Sequence, residues 1–217
     1  EFLTIAEDNG CIIAIGEKIL DRVCSDINRW KNTDLQISIN VSALEVNHGG
    51  FVGLVTSHLE HYNVQGSQIE LDINENIIMS DYLQTIEKLQ QLSDLGISIA
   101  IDDFGASYSS LSHLHRFPIN TLKLDQSFIA TIDGKPKKAC IINAIIAMAK
   151  GLDLRLIAEG VETEQQYHYL QNLGCQHMQG HLFSKAVSYN LAEYMIQHPE
   201  DSLKSFSDNS QIPVLVN

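Results

Sequence analysis

The chain has 217 residues, 44% hydrophobic and 19% charged, which suits one large soluble domain with its own core. Lys plus Arg number 14 and Asp plus Glu 27, and the net charge of −13 excludes extended DNA or RNA binding while leaving room for a small phosphate ligand bridged by metal. Cys11, Cys24, Cys140 and Cys175 show no CxxC spacing, so reduced thiols in a cytoplasmic setting are expected, and no apolar run approaches the roughly 18 residues of a membrane span.

Glu1-Phe2-Leu3 carries no initiator Met and runs directly into Ile5-Ala6-Glu7, which reads as a fragment boundary. Ile15, Ile19, Val23, Ile27 and Trp30 recur at helical spacing and predict one apolar face. Ile37 to Val41 alternates as a strand. Residues 50–62 read as a helix and Ile69 to Ile73 as the next strand. Tyr82, Ile86, Leu89 and Leu92 form a further helix stripe, ended by Gly96. Ile99-Ala100-Ile101-Asp102-Asp103 is a buried strand that stops at two carboxylates. Tyr108 to Phe117 reads as a short polar helix or loop, stopped by Pro118.

Thr121 to Asp125 is strand-like, 137–150 an apolar helix ended by Gly151, and Leu154 to Glu159 a strand. Thr163 caps the next helix, with Gln166 at capping-box distance. Met178 to Phe183 is read as a last short strand and 190–197 as a last helix. The domain is assigned to 1–199, and 200–217 to a polar tail. Alternating strands and helices imply an α/β fold with a parallel sheet and right-handed crossovers. Six βα units are present. A closed barrel of this class uses eight strands, so either the sheet is open or two strands lie outside this chain.

Polar residues collect at the C-terminal ends of these strands, where parallel α/β proteins bind ligands. Asn40 ends the first, Asp72 nearly ends the second, and Asp102 and Asp103 end the third. Lys123 lies in the fourth, Glu159 ends the fifth and Gln179 lies on the sixth. Adjacent carboxylates repel unless they share protons or cations. Oxygen donors without Cys or clustered His suit Mg²⁺ or Mn²⁺. Two such ions can clamp a phosphodiester and supply hydroxide. Lys123 fits as a cation for transition-state charge, and Glu159 as a metal ligand or the group orienting the attacking water.

Other candidates read as ordinary surface or core. His113 and His115 at i, i+2 would face different ways on a helix, and His58 and His61 read as solvated side chains on a surface helix. Lys135, Lys137 and Lys138 read as a solvated basic loop. Phe183 suits guanine stacking or core packing equally. A Schiff-base lyase built on Lys123 is disfavoured, because acidic neighbours raise rather than lower a lysine pKa.

Asn40-Val41-Ser42-Ala43, Asp102-Asp103-Phe104-Gly105, Leu122-Lys123-Leu124-Asp125, Ala158-Glu159-Gly160-Val161-Glu162-Thr163 and Gln179-Gly180-His181-Leu182-Phe183 occur in this order. In order and spacing, over about residues 1–188, the chain resembles the EAL-domain family, bacterial phosphodiesterases that linearise cyclic di-GMP to pGpG. The resemblance implies a TIM-like (β/α) barrel of EAL type whose first strand is antiparallel, with two Mg²⁺ or Mn²⁺ ions and Ca²⁺ inhibitory. It makes Asn40, Asp72, Asp102, Asp103 and Glu159 metal ligands, Lys123 and Glu159 catalytic, Glu162, Gln179 and Phe183 substrate-binding, and Glu75 a stabiliser of the loop after Asp103.

The chain departs from the family pattern at several points. The first two barrel strands, with the Glu-Ala-Leu motif itself, are expected to lie upstream of Glu1. Asp72 replaces the usual Glu, Asn74 the usual Thr, and Ala106-Ser107 the usual Thr-Gly of the loop after Asp103. These changes leave open a second reading, a catalytically inactive receptor that binds the same dinucleotide. The resemblance further implies a homodimer through that loop, an upstream sensory or GGDEF-type domain, and a cytoplasmic domain that membrane segments elsewhere can anchor.

Overall fold

The computed structural model describes residues 2–30, 35–74, 82–105, 116–130, 132 and 136–198. Glu75, Ala106, Ser107, His113, His115, Lys135 and the tail from residue 199 lie outside the described residues.

In chain order the elements are α1 (Phe2–Asp8), α2 (Cys11–Arg29), β1 (Ile37–Val41), α3 (Ala43–Asn47), α4 (Phe51–Tyr62), a 3₁₀ turn (Gly66–Gln68) and β2 (Ile69–Asn74). Then come α5 (Tyr82–Asp94), β3 (Ser98–Phe104), β4 (Thr121–Leu124), α6 (Gln126–Ile129), α7 (Pro136–Gly151), β5 (Arg155–Ala158), α8 (Glu164–Asn172), β6 (His177–Met178) and α9 (Tyr189–Gln197). The strands are hydrogen-bonded in sequence order, β1 through β6. The pairs β1/β2, β2/β3 and β5/β6 are parallel.

The chain divides into two compact units. The first holds Glu1–Lys123 with Ala149–Arg155, and the second Leu124–Met148 with Leu156–Asn217. In the first unit Ile39 is in register with Leu71, and Leu71 with Ile99, so one sheet face carries a row of β-branched and aliphatic residues. These three are buried, as are Leu20, Cys24, Val55 and Leu59 of the helices. In the second unit Ile142, Ile145 and Ile146 of α7 are buried, as are Leu156, Ala158, Tyr167 and Leu170.

Most sequence expectations match these elements, and four shift. Lys137 and Lys138, read as part of a loop, stand in the first turn of α7. In α2 the buried apolar residues are Ile12, Leu20, Cys24 and Ile27, while Ile19 is exposed. The helix has apolar residues on more than one face, and of the predicted stripe Ile27 is buried, Ile15, Val23 and Trp30 are half-buried and Ile19 is exposed, because the buried face is rotated toward Ile12, Leu20 and Cys24. The last strand is only His177–Met178. Beyond it Gly180 presses on the Val161 backbone, where a Cβ would come within 2.2 Å of the carbonyl oxygen, and the chain turns. His58 is not a solvated side chain. Its ring is 15% exposed, its Nδ1 donates to the Leu54 carbonyl, and its Nε2 lies 3.8 Å from Asp21. His61 is exposed, as expected.

Candidate active site

In β1 the alternation of a strand puts Ile39 and Val41 on the buried face and leaves Ser38 and Asn40 exposed on the other. The register continues that second face. Ser38 pairs with Glu70 and Asn40 with Asp72; Glu70 then pairs with Ser98, Asp72 with Ala100 and Asn74 with Asp102. The face therefore carries a lower polar layer, Ser38, Glu70 and Ser98, and above it an upper layer of two rungs, Asn40 with Asp72 and Asn74 with Asp102.

The upper layer holds the sequence candidates. Asp72 is 4% exposed and accepts a hydrogen bond from Lys123 Nζ at 2.5 Å, and Lys123 is 3% exposed. Burial pushes the Asp72 carboxyl up to about 6, against the pull of Lys123, and the charges of Glu70 and Asp102 push the same way. The other carboxylate oxygen, Oδ1, is buried with no hydrogen-bond partner among the described residues. An ionised oxygen left so is costly unless a cation meets it.

Asp102 and Asp103 pose a geometric question. Successive strand residues point to opposite faces, yet these two carboxylates offer oxygens within 4.8 Å of each other. The answer is in the backbone. Asp103 has φ 53°, a left-handed conformation that Asp tolerates better than most residues, and Gly105 follows at φ 91°. The Asp103 amide donates to Asp102 Oδ1 at 2.9 Å, which fixes the turn. The kink converts a sequence neighbour into a spatial pair. Asn40, Asp72, Asp102 and Asp103 offer oxygen donors only, the donor type that hard divalent cations take.

The lower layer escaped the sequence reading. Glu70, 2% exposed, accepts from Ser38 Oγ at 3.0 Å and Thr121 Oγ1 at 2.6 Å, and it pairs with the Arg155 guanidinium. Arg155 also donates to Gln36 at 2.7 Å, and Gln36 in turn to Ser98 at 2.9 Å. Glu70 and Asp72, like Thr121 and Lys123, stand two apart on apolar strands, and that spacing is the signal available in the sequence.

In the second unit Glu159 follows β5, its amide donating to Leu124 O at 3.1 Å. The two motif segments are hydrogen-bonded together. Gln179 N donates to Ala158 O at 2.8 Å, Val161 N to Gln179 O at 3.0 Å, and Leu182 N to Val161 O at 3.0 Å. Exposed Glu162 consequently lies 3.8 Å from exposed His181, and Gln179 is exposed. Phe183 meets buried Tyr167 edge-on at 6.3 Å, which favours packing for one edge of its ring. Thr163 and Gln166 form the expected capping box.

The family model described as EAL domain matches residues 1–186. The bifunctional diguanylate cyclase/cyclic di-GMP phosphodiesterase MucR of Pseudomonas aeruginosa is 39% identical over 190 residues, covering 86% of this chain and 28% of MucR. The solved MucR phosphodiesterase in complex with c-di-GMP superposes with a TM-score of 0.84 at 38% identity, covering 88% of this chain and 78% of that one. The manganese/cyclic di-GMP complex of Klebsiella pneumoniae BlrP1 gives a TM-score of 0.74 at 27% identity, over 80% of this chain and 44% of that one. The chain spans about a quarter of the length of the curated relatives it matches. Its parallel α/β architecture is that of these TIM-like barrels. The chain belongs to the EAL domain family.

Proposed function

We propose that this chain is a metal-dependent phosphodiesterase domain that hydrolyses cyclic di-GMP to linear pGpG. The observation that carries the reading is the buried Lys123–Asp72 pair, whose second Asp72 oxygen has no hydrogen-bond partner among the described residues and lies on the face that also bears Asn40 and Asp102. Asn40, Asp72, Asp102, Asp103 and Glu159 would hold two Mg²⁺ or Mn²⁺ ions. When bound, these ions supply phosphate neutralisation and a more acidic water.

The chain's own residues do the rest. Lys123 presents a cationic donor from a water-poor position to the charge that develops on the phosphate, where a fixed charge acts most strongly. Glu159 orients the attacking water. Glu162, Gln179 and Phe183 hold the dinucleotide, and Glu75 steadies the loop after Asp103. The liganded structures of MucR and BlrP1 support the choice of substrate. The domain is placed in the cytoplasm, behind an upstream sensory or GGDEF-type domain, and among the described residues no helix is long and apolar enough to cross a membrane. A homodimer through the loop after Asp103 completes the proposal.

The test is chromatography of the full chain incubated with cyclic di-GMP. Linear product appears with Mg²⁺ or Mn²⁺ and vanishes with EDTA or Ca²⁺, and Lys123→Met lowers kcat by about 10²–10³. No product at any Mg²⁺ or Mn²⁺ concentration overturns the reading. Micromolar binding without turnover then selects the receptor reading, which the short Asp72 side chain committed to Lys123 favours.

A further inference from the structure

α3 is too short to be stable by itself, since isolated helices below about 12 residues are marginal, yet its N-cap Ser42 stands two residues after Asn40. Several contacts hold it in place. Ser42 caps it, and Glu45 reaches back to that cap. Glu45 Oε2 accepts from Ser42 N at 2.8 Å and from Ser42 Oγ at 2.6 Å, while Glu45 N donates to Ser42 Oγ at 3.3 Å. On the far side Lys88 of α5 donates to the Val46 carbonyl at 2.9 Å, and the Val46 side chain is fully buried.

The same capping device in α8 uses Gln166, which bonds at 2.8 and 3.0 Å to the amides of Glu162 and Thr163. In α3 the device is a carboxylate only 6% exposed. Its Oε1 occupies the notch left by Gly16 of α2, where a Cβ would lie 1.6 Å from that oxygen. A capping box alone needs neither burial nor a fitted notch.

We propose that Glu45 is a positioning residue for Asn40: seated on Gly16 and bonded to Ser42, it fixes the end of β1 so that Asn40 presents its side-chain oxygen to metal. This inference rests on the metal-dependent reading above. α2 and α5 clamp α3 from two sides, so the chain leaving β1 has one path, and Asn40 stays in register with Asp72. Groups that orient a metal ligand characteristically change metal affinity when removed, even though they never touch the ion.

The experiment is Mn²⁺ titration of the full chain, followed by electron paramagnetic resonance, with circular dichroism on every variant. Glu45→Gln keeps both donors satisfied and binds Mn²⁺ as the wild type does. Glu45→Ala weakens Mn²⁺ binding by about 10- to 100-fold with a native dichroism spectrum. Gly16→Ala expels the carboxylate and gives a similar loss, but adds nothing in the Glu45→Ala background. Should Glu45→Ala lose its native spectrum, Ser42→Ala carries the same test with a smaller loss in the same direction. A folded Glu45→Ala chain that binds Mn²⁺ as tightly as wild type overturns the inference alone, as does a Gly16→Ala loss that simply adds to the Glu45→Ala loss. A wild-type chain that binds no Mn²⁺ overturns the metal-dependent reading and this inference with it.

Discussion

Lys123 and Asp72 form a buried ion pair although their strands are not neighbours: β3 lies between β2 and β4, and the pair is closed past Ala100. Ala100 is the register partner of Asp72, on the same face, and is fully buried. A single methyl group there leaves the gap through which the lysine reaches. Ala100→Leu is expected to separate the pair, with overpacking costing about 1–3 kcal/mol. The melting temperature and the rate of pGpG formation should both fall, and Ala100→Gly should preserve the rate better than Ala100→Leu does.

Asp103 should respond more to shape than to charge in folding, and to charge alone in metal binding. Its left-handed backbone is tolerated by Asn and resisted by β-branched residues. Asp103→Asn is therefore expected to melt close to wild type yet lose Mn²⁺ affinity. Asp103→Val should lose about 1–3 kcal/mol of stability as well. Denaturant unfolding beside Mn²⁺ titration separates the two effects.

The Glu70–Arg155 pair tests the lower layer. Removing one partner of a buried pair leaves an uncompensated charge and costs about 3–5 kcal/mol where burial is complete. Arg155 is 32% exposed at its side chain, so Arg155→Ala is expected to cost less, about 1–3 kcal/mol. Mn²⁺ affinity of the folded variant should stay within a few-fold of wild type, because Arg155 binds Glu70 and Gln36 and not the upper-layer carboxylates. A strong loss of metal affinity at full folding would show that the two layers are coupled.

The cysteines give a pH prediction. Burial, and secondarily the charge of Asp21, push the Cys24 thiol from 9.0 to about 11. A raised thiol pKa means the folded chain holds this proton more tightly than the unfolded one. The contribution is present below pH 9 and is lost as pH rises from about 9 toward 11. Iodoacetamide at pH 8 is expected to label exposed Cys11 and Cys140 and to spare buried Cys24 and Cys175. Peptide mapping of the labelled chain checks this.

Much of the molecule is determined by sequence alone. The period-two pattern of Ile37 to Val41 and the apolar run into Asp102 specify strands. The stripe from Tyr82 to Leu92, with Gly96 at φ 86°, specifies a helix and its end, and Thr163 with Gln166 specifies another start. These signals are local, because hydrogen-bond geometry and side-chain alternation act over a few residues. The ordered motifs identify the family for the same reason: each is a contiguous stretch.

Only the tertiary structure decided the relationships across strands and helices. Asp72 meets Lys123 because β3 offers Ala100 between them, and Glu70 meets Arg155 across 85 positions of chain. Glu45 is buried because α2 presents Gly16 opposite it. The two aspartates face each other because one backbone angle turns left-handed. Which face of α2 is buried was likewise settled by fit, since its sequence carries apolar residues on more than one side. Distances of this kind depend on register and close packing, which couple residues far apart in sequence.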